Sequence, residues 1–293
     1  MGDFGDGDAG DHAAAAAAAA VDPNAVYALG RSSGESDRLT RQADELRPES
    51  EALVERTGLG PGDRAIDVGC GPRGILDLLA ERVSPGGSVV GLDADAALVA
   101  MASEFVASRG LDHVELVLAD ARDTGIESGS FDVVHARTLL INLPEPLEAM
   151  TEMVRLARPG GWVVGIEPDI ESALCYPSLP AFDRLCALFE AAQSRNGADP
   201  HFGRRMADLY RRAGLEDVTV EASAVLYPPG HSRRTIRADL VQSIRPQILE
   251  MGLADEGELD ELDAAARAHF DDPNTIVMPG LMFLGWGRKP ITA

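Results

Sequence analysis

The chain has 293 residues, 45% of them hydrophobic and 25% charged, the balance of a folded protein long enough for one sizeable α/β core with additions. Lys and Arg total 26 against 48 Asp and Glu, a formal net charge of −22 that works against nucleic acid and anionic membranes as partners. No apolar run approaches the roughly 20 residues that span a bilayer, and acidic rather than basic residues precede the alanine tract, unlike a signal peptide. Cys70, Cys175 and Cys186 show neither zinc nor disulfide spacing, so free thiols in a cytoplasmic protein, with no metal, are expected.

In chain order, residues 1–22 combine Gly, Asp and a run of alanines and offer little to bury, so they read as a disordered tail. Residues 23–59 read as an N-terminal helical cap, with Leu39, Leu46, Leu53 and Val54 as the buried stripe. Arg38 and Gln42, four apart, share one helix face, which is either an ordinary solvated face or part of a ligand site. Residues 60–293 then alternate strand and helix. Ala65, Ile66 and Val68 form the short apolar run of a doubly covered strand, and Leu76, Leu78, Leu79 and Val83 recur at helical spacing. Gly69, Gly71 and Gly74 sit on the turn between them, where backbone can approach a ligand closely. Further strands are expected at 88–93, 114–123, 131–137, 158–169, 214–227 and 276–289, with a helix at 95–108. This rhythm implies a parallel sheet with its ligand at the carboxyl ends of the strands. Two stretches exceed the minimal fold. Residues 175–213 hold a helix through Phe182, Leu185, Leu188 and Phe189, and residues 231–272 insert two helices. Both are candidates for a substrate lid, the alternative being added packing.

The three glycines spell G-x-G-x-x-G, which alone also fits a dinucleotide site. Asp67, two residues before the first glycine, separates the readings. A carboxylate there repels a pyrophosphate but attracts a ligand carrying an ammonium and a sulfonium.

Residues 67–74 resemble the first motif of the class I S-adenosylmethionine-dependent methyltransferases, small-molecule group, and later segments extend the resemblance over most of the chain. The resemblance implies an α/β fold: a doubly wound, mostly parallel, seven-stranded, Rossmann-like sheet with an antiparallel last hairpin and a helical cap or lid. It implies S-adenosylmethionine as cofactor. Residues 27–42 are similar to the cap that closes over the methionine end in such enzymes, which assigns Tyr27, Arg38 and Gln42 to the cofactor, Arg38 at its carboxylate. Asp67, Gly69 and Gly71 form the turn. Asp93, 26 residues beyond Asp67 at the second strand end, is placed to accept the ribose hydroxyls. Ala94 and Leu98 would line the adenine, Asp120 its amino group, the Ala121 N–H a ring nitrogen, and His135 the region near the sulfonium. Arg73 departs from the small residue frequent in this loop and is expected to point to solvent.

Methyl transfer is an in-line displacement, so the protein mainly aligns the partners and, where needed, removes a proton. Candidate bases are His135, Glu167, Asp169 and His201, with His231 further along. For His135 the alternative is packing beside the cofactor, and for His201 and His231 a place on the surface. The expected function is methyl transfer to a small, hydrophobic metabolite, with Tyr176, Phe182, Phe189, Phe202 and Met206 available to enclose it. The rival readings are an NAD-dependent oxidoreductase and a non-methylating cofactor-binding protein on the same fold.

Overall fold

The computed structural model describes residues 33–291; the expected tail at 1–22 and the expected cofactor contact Tyr27 lie outside them. Two helices, α1 (Ser33–Glu45) and α2 (Arg47–Thr57), lead into an alternating half. Its elements are β1 (Arg64–Val68), α3 (Leu76–Val83), β2 (Ser88–Asp93), α4 (Ala96–Arg109), β3 (Val114–Leu118), β4 (Phe131–Arg137), α5 (Pro146–Leu156) and β5 (Ala157–Asp169). The second half holds β6 (Leu174–Tyr176), α6 (Pro180–Arg195), α7 (Met206–Arg212), β7 (Glu216–Ser223), α8 (Ile236–Ser243), α9 (Arg245–Glu250), α10 (Glu256–Phe270), β8 (Ile276–Met278) and β9 (Leu281–Arg288).

Seven strands form one sheet in the order β3-β2-β1-β4-β5-β9-β7, parallel from β3 to β5, with β9 antiparallel to both its neighbours. The sheet grows one way through β2 and β3 and the other way through β4 and β5, so the crevice of the fold opens between the carboxyl ends of β1 and β4. Beyond Arg64 every residue of β1 is buried, because helices cover both faces. Ala65 faces the layer holding Leu53 and Leu79, whereas Ile66 and Val68 face Met150 and Met153. Among the described residues no helix is long and apolar enough to cross a membrane.

Three details differ from the sequence reading. The third strand ends at Leu118, so Asp120 lies beyond it in a turn closed by the Asp123 amide on the Asp120 carbonyl at 3.1 Å. The segment at 276–289 is two strands: Pro279 lacks a ladder donor and Gly280 takes a φ of +140°, so β8 leaves the main sheet to pair with β6 while β9 inserts between β5 and β7. Residues 231–272 hold three helices rather than two, since Pro246 ends one helical run and opens α9 in its first turn.

The turn after β1 is fixed by sterics. Gly74 has a φ of +53°, and a Cβ there would lie 2.0 Å from the Asp67 Oδ2 and 2.9 Å from the Cys70 carbonyl. Gly110, the left-handed cap of α4 with a φ of +64°, has nothing within 4 Å of such a Cβ. Gly74→Ala is expected to cost about 3 kcal/mol or more of stability and Gly110→Ala about 1 kcal/mol. Urea denaturation of both variants measures this, and equal losses would sink the clash argument.

Candidate functional site

The site begins at the buried carboxylate of Asp67. Its Oδ2 accepts the Ile75 amide at 2.9 Å, and its Oδ1 lies 2.7 Å from Nδ1 of the fully buried His135 on β4. A carboxylate only accepts, so Nδ1 carries the proton. What remains of Asp67 for a ligand is its negative field and the spare lone pairs. It borders a cavity with Gly69, Gly71, Gln42 and Arg137.

That cavity continues along the strand ends into a cleft of about 930 Å³, walled by Asp93, Ala94, Leu98, Asp120 and Ala121. Asp93 Oδ2 accepts the Gly71 amide at 2.8 Å and Oδ1 the Asp95 amide at 2.9 Å, which locks the second strand end to the glycine turn. Burial raises the Asp93 pKa, opposed by those amides. Asp120 is gripped by Arg122, whose Nε and Nη2 donate at 3.0 and 2.7 Å and hold its pKa below the ordinary value. Gly71, with a φ of +58°, has open space where a Cβ would stand, so the turn leaves room for a ligand against its backbone. Acids at the strand ends, a bare glycine turn and a large cleft fit a nucleoside with a cationic tail.

Two arginines occupy places that the sequence did not disclose. Arg38 donates from Nη1 to Gln42 Oε1 at 2.5 Å, and Gln42 Nε2 donates to Thr138 Oγ1 at 3.0 Å, but Arg38 borders a second cavity and not the one at the glycine turn. The guanidinium on the glycine-turn side is Arg137, at the end of β4, which donates from Nη1 to Ser50 Oγ at 3.0 Å. Burial lowers its pKa and the Asp67 charge opposes this. A cation closing a central strand was the available signal for it. Arg73 does not point to solvent. Its guanidinium pairs with Asp44 at 2.7 Å and lies 4.9 Å from the Phe105 ring centre, because α1 and α4 both flank the turn.

The second cavity, about 730 Å³, lies between α1, α6, α8 and the ends of β5 and β9. Leu39 and Thr138 border it and the cleft alike. Thr138 has a φ of +50°, unusual for a β-branched residue, and is held there by its amide on the Ile166 carbonyl at 2.8 Å and by Asn142 Nδ2 on its own carbonyl at 2.8 Å. Of the five residues expected to enclose an acceptor only Phe189 borders this cavity. Phe182, Phe202 and Met206 pack into the core and Tyr176 is exposed.

The family model described as a methyltransferase domain matches residues 66–165. A demethylmenaquinone methyltransferase of Anoxybacillus flavithermus is 31% identical over 185 residues, covering 57% of this chain and 76% of that protein. The chain belongs to the class I S-adenosylmethionine-dependent methyltransferases. S-adenosylmethionine is its cofactor and the oxidoreductase reading falls. An uncharacterized 37.1 kDa protein of transposon TN4556 from Streptomyces fradiae is 33% identical over 178 residues, 60% of this chain but only 50% of its own length. Phosphoethanolamine N-methyltransferase 2 of Haemonchus contortus shares the fold, with a TM-score of 0.54 at 19% identity over 83% of this chain and 52% of that one.

Each candidate base that the sequence offers to this methyltransferase is buried, ion-paired or outside the three cavities, His231 accepting the Arg233 amide on Nδ1 at 3.1 Å. His135 is sealed in the sheet against Asp67, and its Nε2 has no partner among the described residues. His201 lies outside all three cavities, 3.5 Å from Glu171 and 3.4 Å from Glu190. The acids next to it, Asp169 and Glu171, are held by Arg204 at 2.6 and 2.8 Å. Glu167, fully buried on β5, takes the amides of Leu139 and Leu140 on Oε1 at 3.0 and 2.8 Å and that of Ile141 on Oε2 at 3.3 Å. It positions the loop that carries Thr138. Burial outweighs those amides and pushes its carboxyl up to about 8. The folded chain then keeps a proton that the unfolded chain releases from about 4.5, so stability falls as pH rises from about 4.5 to 8. Melting curves across that window should show a steeper decline in the wild type than in Glu167→Gln; parallel profiles would mean that the acid is ionised throughout.

Proposed function

We propose that this methyltransferase moves the methyl group of S-adenosylmethionine to a small, apolar, ring-bearing metabolite of quinone type, seated in the cavity between α1, α6 and α8. The supporting observation is the shared wall. Leu39 and Thr138 border both the strand-end cleft and the apolar cavity, so a ring in one reaches what is held in the other. The demethylmenaquinone methyltransferases among the relatives favour a quinone-type acceptor.

When bound, the cofactor supplies an electrophilic methyl on a sulfonium. Asp93 would hold the ribose hydroxyls, Asp120 and the Ala121 amide the adenine edge, and Ala94 and Leu98 the ring faces, a reading supported by their sharing one cleft. Arg137 takes the carboxylate role that the sequence gave to Arg38, and Asp67 lends a field that favours the positive charge. Gln42 and Asn142 hold Thr138 at the junction, which fixes the distance between the two cavities. With His135 and Glu167 sealed, the protein contributes alignment and exclusion of water rather than a base. The acceptor therefore brings its own acidic nucleophile, as a phenolic or enolic ring does. In this reading residues 23–59 act as cap and the insertions at 175–213 and 231–272 as an acceptor lid, with Phe189, Ile236 and Leu240 as its inner face. A cytoplasmic enzyme with a small-molecule partner suits the charge of −22.

Calorimetry with the full chain tests the donor half: Asp93→Asn and Arg137→Met should each remove charge-assisted hydrogen bonds worth about 1.5 to 3 kcal/mol, roughly 10- to 100-fold in Kd, with Arg38→Met changing it little. An unaffected Arg137→Met would return the carboxylate role to Arg38. Turnover tests the acceptor half. With S-adenosylmethionine and 1,4-naphthohydroquinone, mass spectrometry should find a methylated ring, and Leu240→Trp should raise the acceptor KM about tenfold or more while sparing donor binding. Firm donor binding without any methylated naphthohydroquinone would count against a quinone-type acceptor.

A further inference from the structure

The acceptor cavity has cations and no anions. Among the described residues its wall carries Arg38, Arg233 and Arg237 but no aspartate or glutamate. Arg237, near the start of α8, is 3% exposed. Its Nη2 donates to the Pro279 carbonyl at 3.1 Å, and among the described residues its Nε and Nη1 meet no oxygen or nitrogen acceptor. Beside it lie the Phe189 ring, 5.0 Å from the guanidinium carbon, and the Cys186 thiol, a weak hydrogen-bond partner. Burial lowers its pKa and the Arg233 charge adds to that, with Cys186 and Glu190 opposing. Among the described residues no carboxylate forms an ion pair with it, and Arg233 Nε reaches only Glu45, at 3.8 Å.

Arg234, two residues before α8, shows what a structural arginine looks like in the same segment. It is also 3% exposed, yet Nε donates to the Phe270 carbonyl at 2.8 Å, Nη1 to the Tyr227 and Thr275 carbonyls, and Nη2 to Thr275 and Asp272. Its donors knit the segment to the end of α10. The open donors of Arg237 knit nothing, and a buried charge left this way weakens a fold unless a ligand completes it. Gln193, on α6 and also buried, has an amide oxygen that meets no donor among the described residues. Gln42, Thr138 and Asn142 are the other polar residues of the wall, and Ile141, Ile170, Phe189, Ile236, Leu240 and Met282 make it mainly apolar.

We infer that the acceptor is an aromatic carboxylate: an apolar ring filling the cavity, its carboxylate taking the open N–H groups of Arg237 within the field of Arg233, and a ring hydroxyl donating to Gln193. This rests on reading the cavity as the acceptor site and adds the charge of the substrate to it. In a chain of net charge −22 an anion needs such a local reversal of sign to bind at all.

The test uses the full chain saturated with S-adenosylhomocysteine, titrated calorimetrically with 6-hydroxy-2-naphthoate and with 2-naphthol, which differ only in the carboxylate. The naphthoate should bind about tenfold or more tighter. Arg237→Met should abolish that preference, leave S-adenosylhomocysteine binding unchanged and raise the melting temperature of the ligand-free chain. Arg237→Lys should keep part of the preference. Equal binding of the two ligands by the wild type, a preference that survives in Arg237→Met, or a variant that melts lower than the wild type would overturn the carboxylate assignment alone. Binding of neither ligand, with S-adenosylhomocysteine still bound, would overturn the acceptor-site reading and this inference with it.

Discussion

The carboxylate of Asp67 is the point on which the rest of the site depends. It is buried between β1, β4 and the start of α3, and it is tolerated there because the Ile75 amide and the His135 ring each give it a hydrogen bond. That clamp has a steric condition: only a residue without a Cβ fits at Gly74. Once the turn is closed, the Gly71 amide is aimed at Asp93, and two neighbouring strand ends become one rigid edge. Sequence, turn and cleft are thus linked through one buried charge. Its field also makes the floor of the crevice negative, which suits a sulfonium and opposes a pyrophosphate.

A second buried acid does comparable work on the other side of the crevice. Glu167 gathers three successive amides at the start of the loop after β4, where Thr138 is held in a left-handed conformation that its branched side chain disfavours. The loop separates the cleft from the apolar cavity while belonging to both. Fixing it fixes the wall that the two cavities share. Both acidic and imidazole groups that chemistry would favour as bases are consumed in building this frame.

The charge of the whole chain and the charge lining the cavity between α1, α6 and α8 have opposite signs. Surface acids dominate the total, but the insertion helices turn arginines inward, and one of them keeps donors that no oxygen or nitrogen acceptor among the described residues meets. Burial in an apolar wall strengthens such a charge, because little water competes for it. Selectivity at the cavity is then a matter of a few buried groups, and the overall charge of −22 says little about it.

Much of the frame was legible in the sequence. Strand spacing, the glycine turn and the acid ending β2 are local patterns, set by residues a few positions apart, and they gave the sheet and the strand-end cleft their places. The break at Pro279 and Gly280 was also written in the chain, though the apolar residues on either side masked it. The roles of the charged side chains were not legible, since each depends on partners far away in sequence. Asp67 meets His135 across 68 positions, Gln42 meets Thr138 across 96, and Arg237 meets Pro279 across 42. Whether a histidine is a base or a strut, and which of two arginines faces which cavity, follows from burial and from what fills the remaining lone pairs. Periodicity carries no record of either. The sequence by itself determined the turn, the strand ends and the donor they suit; the packing of distant helices over the sheet decided which acids were sealed and which cation kept open donors.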